Sequence, residues 1–202
     1  MKYRFAVICL MAVNIIIFLL TLVPQISNYF ILQGGFIPLR LSQTPIFETG
    51  EGFLIPPLLT LFTSTFLHGG FFHLLMNMLL LGIIGGIVEN ITGTRKFLLI
   101  YFCGAFAGCL AEFAVNPMSD LPIIGASGGI SAIIAVQMML MPAKAITPWG
   151  GLSVYWTRFI QLTLLWAILN FGMMLFLSDM NIAVYAHMGA FIAGLLSVKL
   201  LK

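Results

Sequence analysis

The chain has 202 residues, of which 61% are hydrophobic and only 7% are charged, and its mean hydropathy is +1.11. Such a composition excludes an ordinary water-soluble domain, in which about 25% of the residues are charged. We therefore expect the chain to lie in a lipid bilayer. Its net charge of +3 comes from basic residues that are scattered along the sequence instead of forming a stripe, so we expect no nucleic-acid partner.

Six apolar segments predict transmembrane helices, since crossing the ~30 Å hydrocarbon core takes about 20 mainly apolar residues. The first segment follows Lys2 and Arg4 and resembles a signal peptide, but its apolar part is long and no small-residue cleavage site follows Pro24. We therefore predict a retained anchor and an all-α membrane protein with a single six-helix domain. The predicted helices cover about residues 5–23, 71–89, 96–115, 127–141, 158–177 and 182–199.

The basic residues predict the orientation, because Lys and Arg concentrate in cytoplasmic loops. With the N-terminus inside and six spans, only Arg40 of the nine Lys and Arg residues lies outside. Both termini are therefore predicted to be cytoplasmic. The short chain shows no targeting peptide, which favours a bacterial cytoplasmic (inner) membrane.

The segment 24–70 between the first two predicted helices is too long for a simple connector. Its apolar patches alternate with Gly and Pro, which suits a hairpin or short helices partly embedded in the outer headgroup layer. Glu48 and Glu51 are expected to face water. The prediction is a long, membrane-associated first loop.

Four polar side chains are predicted to share one depth, because the second, fourth and sixth helices all enter from the outside. His73 and Asn77 lie one turn apart on the second helix, Ser127 opens the fourth, and His187 lies just over one turn inside the sixth. The fourth helix covers only about 22 Å, so Ser127 lies below the outer surface. Irregular backbone before it requires surrounding protein or water. We expect a water-filled cavity that opens outward.

A serine at the floor of such a cavity needs a base, because its hydroxyl is a weak nucleophile until its proton is removed. His187 is a base on a helix entering from the same leaflet, and no other partner for it is evident in the sequence. Asp179 precedes it by eight residues in a predicted loop. We therefore predict a Ser127/His187 dyad without a third acidic member.

Acyl transfer also needs hydrogen-bond donors for the oxyanion of its tetrahedral intermediate. The backbone N–H of Ser127 at a helix N-terminus supplies one donor, and His73 and Asn77 can supply others. Gly125 and Gly128 permit the tight turn and the close helix packing that a nucleophile at a loop-to-helix junction requires.

Four motifs occur together in one order. Gly125-Ala126-Ser127-Gly128 is similar to a GxSG motif, and Ala186-His187 to an AH motif on a sixth helix. The segment from Phe66 through His68 and His73 to Asn77 is similar to FLHxxxxHLxxN, and Gly85 to Glu89 to GGxxE. Together these motifs, which extend over nearly the whole six-helix core, resemble those of the rhomboid intramembrane serine proteases.

The resemblance implies a six-transmembrane-helix rhomboid-like bundle that cleaves peptide bonds in or next to the transmembrane segments of single-span substrate proteins. It implies Ser127 as nucleophile and His187 as general base, and an oxyanion hole formed by His73, Asn77 and the Ser127 amide. No cofactor and no metal are expected. The lipid bilayer and single-span membrane proteins are the expected partners.

The chain departs from the family pattern in three places. Leu59 and Thr60 stand where many relatives have a Trp-Arg pair that anchors the first loop. Ser131 stands where an aromatic residue often packs on the catalytic histidine. Ala190 replaces a glycine, although with Gly194 it still forms a small-xxx-small face for packing against the fourth helix.

Other polar residues have structural interpretations. His68 is expected to hold the first loop, and Glu89 to pair with nearby backbone or a basic residue. Glu112 lies in the outward half of the third predicted helix, where solvation of its carboxylate by water in the cavity is one interpretation. Ser127 alone is also compatible with a helix N-cap, and His73 with Asn77 is compatible with an interhelical bridge.

Rival classes lack their expected motifs. A metalloprotease requires a His-Glu-x-x-His helix, which the sequence does not contain. A transporter is expected to have paired broken helices in two related halves, and only the fourth helix is short. Cys9, Cys103 and Cys109 are expected to be packing residues. An inactive rhomboid-like protein that binds or escorts transmembrane helices remains the alternative, and retention of both Ser and His argues against it.

Overall fold

The computed structural model describes residues 4–42, 55–140, 147–176 and 183–200. Within those ranges the fold is helical, apart from turns and one isolated antiparallel bridge between Phe36 and Ile123. The predictions made for Lys2, Glu48, Glu51 and Asp179 lie outside the described residues, as do the predicted helix ends at 141, 177 and 182.

Nine helices, some extended by a short turn, occupy the described ranges. They are α1 (Phe5–Leu20), α2 (Pro24–Gly34), α3 (Pro38–Ser42), α4 (Pro57–Thr63, continued by the 3₁₀ turn Ser64–Phe66), α5 (Phe71–Thr92, with a π turn at Leu81–Gly85), α6 (Thr94–Val115), α7 (Ser127–Leu140), α8 (Val154–Phe176) and α9 (Val184–Ser197, followed by the 3₁₀ turn Val198–Leu200).

Two of these helices, α5 and α6, are long and apolar enough to cross a membrane by length and composition, with 22 residues each. Helices α1, α7 and α9 are apolar but shorter. Helix α8 begins at Val154, a few residues before the predicted start at 158.

The segment predicted as the first loop contains three short helices in its described part, α2, α3 and α4. Each has a proline at its first position: Pro24, Pro38 and Pro57. Proline suits that position because the first N–H groups of a helix have no intrahelical partner and the fixed φ is already helical. Each of the three helices of this segment therefore begins at a proline.

Small residues bring α6, α7 and α9 close together. A Cβ atom added to Gly104 in α6 would collide with Ala132 in α7, and one added to Gly194 in α9 would collide with the backbone of the same Ala132. Apolar lipid gives helices no hydrophobic drive to associate, so close backbone approach through small residues favours their packing. The first residues of α7 and α9 consequently lie side by side.

The small-residue face of α9 extends over two neighbouring helices. Gly194 contacts α7, as expected, but the Cβ of Ala190 lies toward Gly108 of α6. Packing of Ala190 against the fourth predicted helix stays a prediction. Helices α6 and α7 both pack against α9.

Glu89 joins three helices at the end of the bundle where α1 begins. Its buried carboxylate accepts hydrogen bonds from the backbone N–H groups of Ala6 (2.9 Å) and Val7 (3.0 Å) and from the hydroxyl of Thr94 (2.8 Å). The first N–H groups of a helix lack intrahelical acceptors, and a carboxylate also complements the helix dipole. Glu89 thus ties the start of α1 to the junction between α5 and α6.

Candidate active site

A cavity of about 240 Å³ lies between the starts of α5, α7 and α9, and His73, Gly125, Ser127 and His187 all line it. The Oγ atom of Ser127 is 2.7 Å from Nε2 of His187, whose side chain is only 8% exposed. A nucleophile and a base within direct hydrogen-bond reach form the geometry that proton removal from a serine requires.

The turn before Ser127 depends on Gly125. Gly125 has φ = +115°, a conformation that side chains disfavour, and a Cβ there would lie only 2.7 Å from Nε2 of His73. Its N–H donates to the carbonyl of Ser64 at 2.9 Å. Gly128 then lets α7 approach the backbone of Ala105 in α6. These features place Ser127 at the wall of the cavity.

Glu112 supports the helix that carries His187. Its buried carboxylate accepts hydrogen bonds from the backbone N–H of Ala186 (3.1 Å) and from Nδ2 of Asn116 (2.6 Å). It therefore satisfies a free N–H at the start of α9, one residue before the histidine. From sequence, solvation of Glu112 in a cavity was an open interpretation; its carboxylate is bound to these two protein groups, and the residue also lines a neighbouring cavity.

His73 presents its Nε2 atom to the cavity beside Gly125. Its Nδ1 atom faces the backbone N–H of Gly69 at 3.4 Å. A ring nitrogen that accepts a hydrogen bond carries no proton, so the proton of the neutral ring is assigned to Nε2. His73 can therefore donate to a group bound in the cavity.

Asn77 lies behind His73 and is not part of the cavity wall. Its Nδ2 donates to the carbonyl of His73, one turn earlier on the same helix, at 2.9 Å. A carboxamide has a second N–H. His73 and Asn77 were both predicted as oxyanion donors, and of the two only His73 lines the cavity.

His68 is buried against His73, with the ring centroids 5.0 Å apart and the rings nearly perpendicular. Burial, together with the proximity of His73, lowers the pKa of His68 to about 3. The imidazole is therefore neutral at neutral pH and acts as packing behind the cavity wall. This placement fits a structural role in the loop.

Ser131 lies one turn after Ser127 and is bound to α8. Its Oγ accepts a hydrogen bond from Nε1 of Trp166 at 3.3 Å, and the Trp166 ring packs on Phe191 with the centroids 4.9 Å apart. Phe191 follows His187 by one turn on α9. Aromatic side chains from α8 and α9 thus meet beside the histidine helix, although the family's usual aromatic position is Ser131 here.

The loop before Ser127 is braced by the first-loop segment. Phe36 and Ile123 exchange two backbone hydrogen bonds, of 3.0 and 2.8 Å, and the N–H of Leu39 donates to the carbonyl of Ser119 at 2.9 Å. These bonds form one side of the cavity loop. The position of the nucleophile therefore depends on a segment that lies some 90 residues earlier in the chain.

Arg40 holds that segment together from inside. It is only 2% exposed, and its guanidinium donates to the carbonyls of Leu32 (3.5 Å), Gln33 (3.3 Å) and Ile55 (2.6 Å). Sequence reasoning missed this role, because charge counting treated Arg40 only as the one basic residue on the outer side. An arginine anchor is thus present although Leu59 and Thr60 replace the family's Trp-Arg pair.

No group of three or more His, Cys, Asp or Glu side chains among the described residues could hold a metal ion. Cys9 and Cys103 are exposed and Cys109 is buried, and the three are free cysteines. Besides Ser127, His73 and His187, the side chains of Ser64, Thr65 and Cys109 line the cavity.

Comparison with known proteins identifies the relatives of this chain. A family model described as Rhomboid domain matches residues 57–202. The chain is 30% identical over 144 residues to RHOMBOID-like protein 1 of Arabidopsis thaliana, which covers 67% of this chain and 32% of the relative. It is 41% identical over 70 residues to Rhomboid protease GluP of Bacillus subtilis (strain 168), covering 35% and 13%.

A human relative, Rhomboid-related protein 3, is 30% identical over 91 residues, covering 45% of this chain and 21% of that protein. The chain thus spans less than half the length of these curated relatives. The matches confirm the resemblance that the four motifs indicated.

Proposed function

Because this chain belongs to the rhomboid family, we propose that it is an intramembrane serine endopeptidase. It cleaves peptide bonds in or next to the transmembrane segments of single-span membrane proteins. The observation that carries the proposal is the 2.7 Å contact between Oγ of Ser127 and Nε2 of His187 inside a mostly buried cavity. The relative named Rhomboid protease GluP supports the reaction class.

In the proposed mechanism His187 takes the proton of Ser127 as Oγ attacks the scissile carbonyl carbon. The oxyanion that forms accepts hydrogen bonds from Nε2–H of His73 and from the free backbone N–H of Ser127 at the start of α7. Protonated His187 then gives its proton to the leaving amine. A water molecule, deprotonated by the same imidazole, hydrolyses the acyl-enzyme.

Water reaches the site through a second cavity in this proposal. A cavity of about 760 Å³ lies near the C-terminal end of α6. It shares four wall residues with the cavity that contains Ser127: Leu121, Pro122, Ile123 and Ala183. Glu112 and Asn116 lie on its wall.

Backbone amides of a substrate helix are hydrogen-bonded within that helix, so the substrate has to unwind locally before its carbonyl meets the serine.

The proposed topology has six spans, both termini on the cytoplasmic side and the active site opening to the outer side of a bacterial inner membrane. Helices α5 and α6 have the length and the apolar composition of spanning helices. The distribution of Lys and Arg along the chain supports the orientation. A cysteine-accessibility map from both sides of the membrane tests it.

The test of the reaction is labelling of the purified protein, in detergent or liposomes, with a serine-directed fluorophosphonate, followed by mass mapping of the adduct. We expect modification at Ser127 and its loss in Ser127→Ala and His187→Ala. Cleavage of a single-span substrate should fall by at least about a thousandfold in both variants. Ser131→Ala is the matched control, because it removes a serine from the same helix, and it should keep both activities.

Cleavage by Ser127→Ala at the wild-type rate would end the proposal. Absence of labelling and cleavage in the folded wild-type protein would instead favour the alternative, an inactive rhomboid-like protein that binds or escorts transmembrane helices.

Substitutions of His73 and Asn77 should differ in their effects. His73→Ala removes a donor at the cavity wall, so we expect a loss of about 2.7 to 4 kcal/mol in transition-state stabilisation. Asn77→Ala should cost less, because its amide lies behind His73 and bonds to the carbonyl of that residue. Steady-state kcat/KM of the two variants, with fluorophosphonate labelling as the control for intact Ser127, measures the difference. Equal losses would contradict this order.

A further inference from the structure

The cavity of about 760 Å³ near the C-terminal end of α6 adjoins the cavity that contains Ser127, since the two share four wall residues. We call the larger cavity the vestibule. Its wall is formed by the end of α6, the loop that follows α6 and the start of α9, at residues 112, 115–119, 121–123 and 183–185. A polypeptide with one peptide bond at Ser127 therefore has room to continue into the vestibule.

Glu112 is the one charged residue among the described wall residues of the vestibule. Its side chain is only 8% exposed, and its carboxylate accepts hydrogen bonds from the backbone N–H of Ala186 and from Nδ2 of Asn116. Both donors are neutral. A carboxylate has about four acceptor positions, so these two bonds leave capacity for a further donor in the vestibule.

The basic residues of this chain do not neutralise Glu112. None of the described Lys and Arg side chains forms a bond with it. Lys96, at the other end of the same helix, lies about 24 Å away along the axis. The guanidinium of Arg40 donates to three backbone carbonyls, and the sequence has no Lys or Arg in residues 97–143 or 159–198. The carboxylate thus has no cationic partner among the described residues.

The helix-capping bond of Glu112 does not require a charge. Serine and asparagine cap helices about as well as aspartate, so a neutral oxygen would also accept the N–H of Ala186. A buried carboxylate without a cation is costly, although the dipole at the start of α9 offsets part of that cost. A cationic group in the vestibule would remove the rest of it.

The apolar part of the vestibule wall suits the stem of a basic side chain. Val115, Leu121 and Val184 lie on that wall. Lysine and arginine bury their methylene groups against apolar surface and direct the charged head to a polar group, here the carboxylate of Glu112. We propose that Glu112 is a specificity-determining residue, which binds a Lys or Arg side chain of the substrate near the cleaved bond.

This inference rests on the proposed function, because the ligand of Glu112 is the polypeptide substrate. The outer flanks of transmembrane segments are generally poor in Lys and Arg. Glu112 therefore favours the minority of single-span proteins that have a basic residue at the outer end of their transmembrane segment. A substrate with a neutral side chain there depends on Glu112 only through the cap of α9.

Binding to the Ser127→Ala variant tests the proposal without requiring cleavage. A fluorescent single-span peptide in detergent micelles carries Lys, acetylated Lys, Gln or Glu at each position in turn around the outer end of its transmembrane segment. At one position or more, Lys should bind about tenfold more tightly than Gln, because a hydrogen bond between charged groups is stronger than a neutral one. Acetylated Lys, which has lost its charge, should bind like Gln, and Glu should bind more weakly.

Matched variants in the same Ser127→Ala protein separate the charge from the cap. Glu112→Gln keeps an oxygen for the N–H of Ala186 but loses the charge, so it should bind the Lys and Gln peptides equally. Asp120→Asn removes an exposed carboxylate of the adjacent loop that is not part of the wall, and it should keep the preference for Lys. The acetylated peptide makes the same comparison without altering Glu112.

Equal binding of the Lys, acetylated Lys and Gln peptides at every position would overturn the proposal. A preference for Lys that persists in Glu112→Gln, or that disappears equally in Asp120→Asn, would overturn it as well. Wild-type cleavage of the same peptides tests the proposed function separately. Cleavage without a charge preference contradicts this inference alone, whereas Lys-dependent binding without cleavage supports it and contradicts the proteolytic function.

Discussion

Two regions of the molecule hold the catalytic pair in place by different physical means. The three-helix unit, formed by α6, α7 and α9, carries Ser127 and His187 and packs mainly through Gly and Ala. The first-loop unit, formed by α2, α3 and α4, braces the turn before Ser127 and is held by polar bonds to backbone carbonyls. The two units therefore differ in the interaction that holds them together: close contact between small residues in one, and hydrogen bonds to backbone carbonyls in the other.

In the three-helix unit the backbone N–H and C=O groups are hydrogen-bonded within their own helices. The helices are therefore held to one another by attraction between apolar surfaces. Lipid chains compete equally well for such surfaces, and close contact through Gly104, Ala132 and Gly194 gains van der Waals energy that lipid does not supply. The first-loop unit has short helices whose ends leave carbonyls free. Arg40 provides donors for two of them, the carbonyls of Leu32 and Gln33 at the end of α2, and for the carbonyl of Ile55 before α4.

The largest expected effect comes from filling a tight contact with backbone atoms in the three-helix unit. Gly194→Val puts side-chain atoms against the backbone of Ala132, which cannot move as a flexible side chain does. We expect a loss of about 3 kcal/mol in unfolding free energy, together with loss of serine labelling because α7 and α9 separate. Chemical denaturation in detergent measures it.

Leu196→Val, two residues further on an exposed position of the same helix, is the matched control and should leave stability nearly unchanged. An unaltered midpoint in Gly194→Val would contradict the packing account.

A smaller effect is expected from removing the polar anchor of the first-loop unit. Arg40→Met keeps most of the side-chain volume but leaves carbonyls of Leu32, Gln33 and Ile55 without their donor, which should cost about 2 kcal/mol. Serine labelling should slow, because the same unit braces the cavity loop. Thermal denaturation in detergent and labelling rates test both effects, and Arg95→Met, at an exposed arginine, should show neither.

The smallest effect on stability concerns the polar bond that crosses the three-helix unit. Glu112→Ala removes the acceptor of the Ala186 N–H and should cost about 1 kcal/mol, the usual value of a lost helix cap. Because Ala186 precedes His187, we also expect a lower kcat with little change in KM. Glu89→Ala, which uncaps α1 far from the site, should lose stability and keep kcat. An equal fall in kcat in both variants would show that Glu112 acts only through stability.

The sequence predicted much of the site because its signals are local. Glycine before Ser127 indicated a tight turn, and the structure has Gly125 at φ = +115°. The short fourth helix placed Ser127 below the surface, and the shared direction of alternate helices placed His187 at a similar depth. The structure brings these two side chains within 2.7 Å, although 60 residues separate them.

Contacts between helices were harder to predict, because a helix that is apolar on every side carries no periodic signal for its packing face. The position of Ala190 beside Gly108 of α6 was therefore not predicted. The hydrogen bond from Ala186 to Glu112 also lay outside the reach of sequence patterns, since the two residues are 74 positions apart.

By itself, the sequence determined the membrane environment, the positions of most helices and the residue types that suit acyl transfer. These follow from composition, run length and local turn chemistry, which act between near neighbours in the chain. Only the tertiary structure decided that Arg40 is an internal anchor, that Glu112 caps the histidine helix, and that Asn77 lies behind His73. Hydrogen bonds are directional and short, so distant segments have to be in place before the partner of a buried polar group is defined.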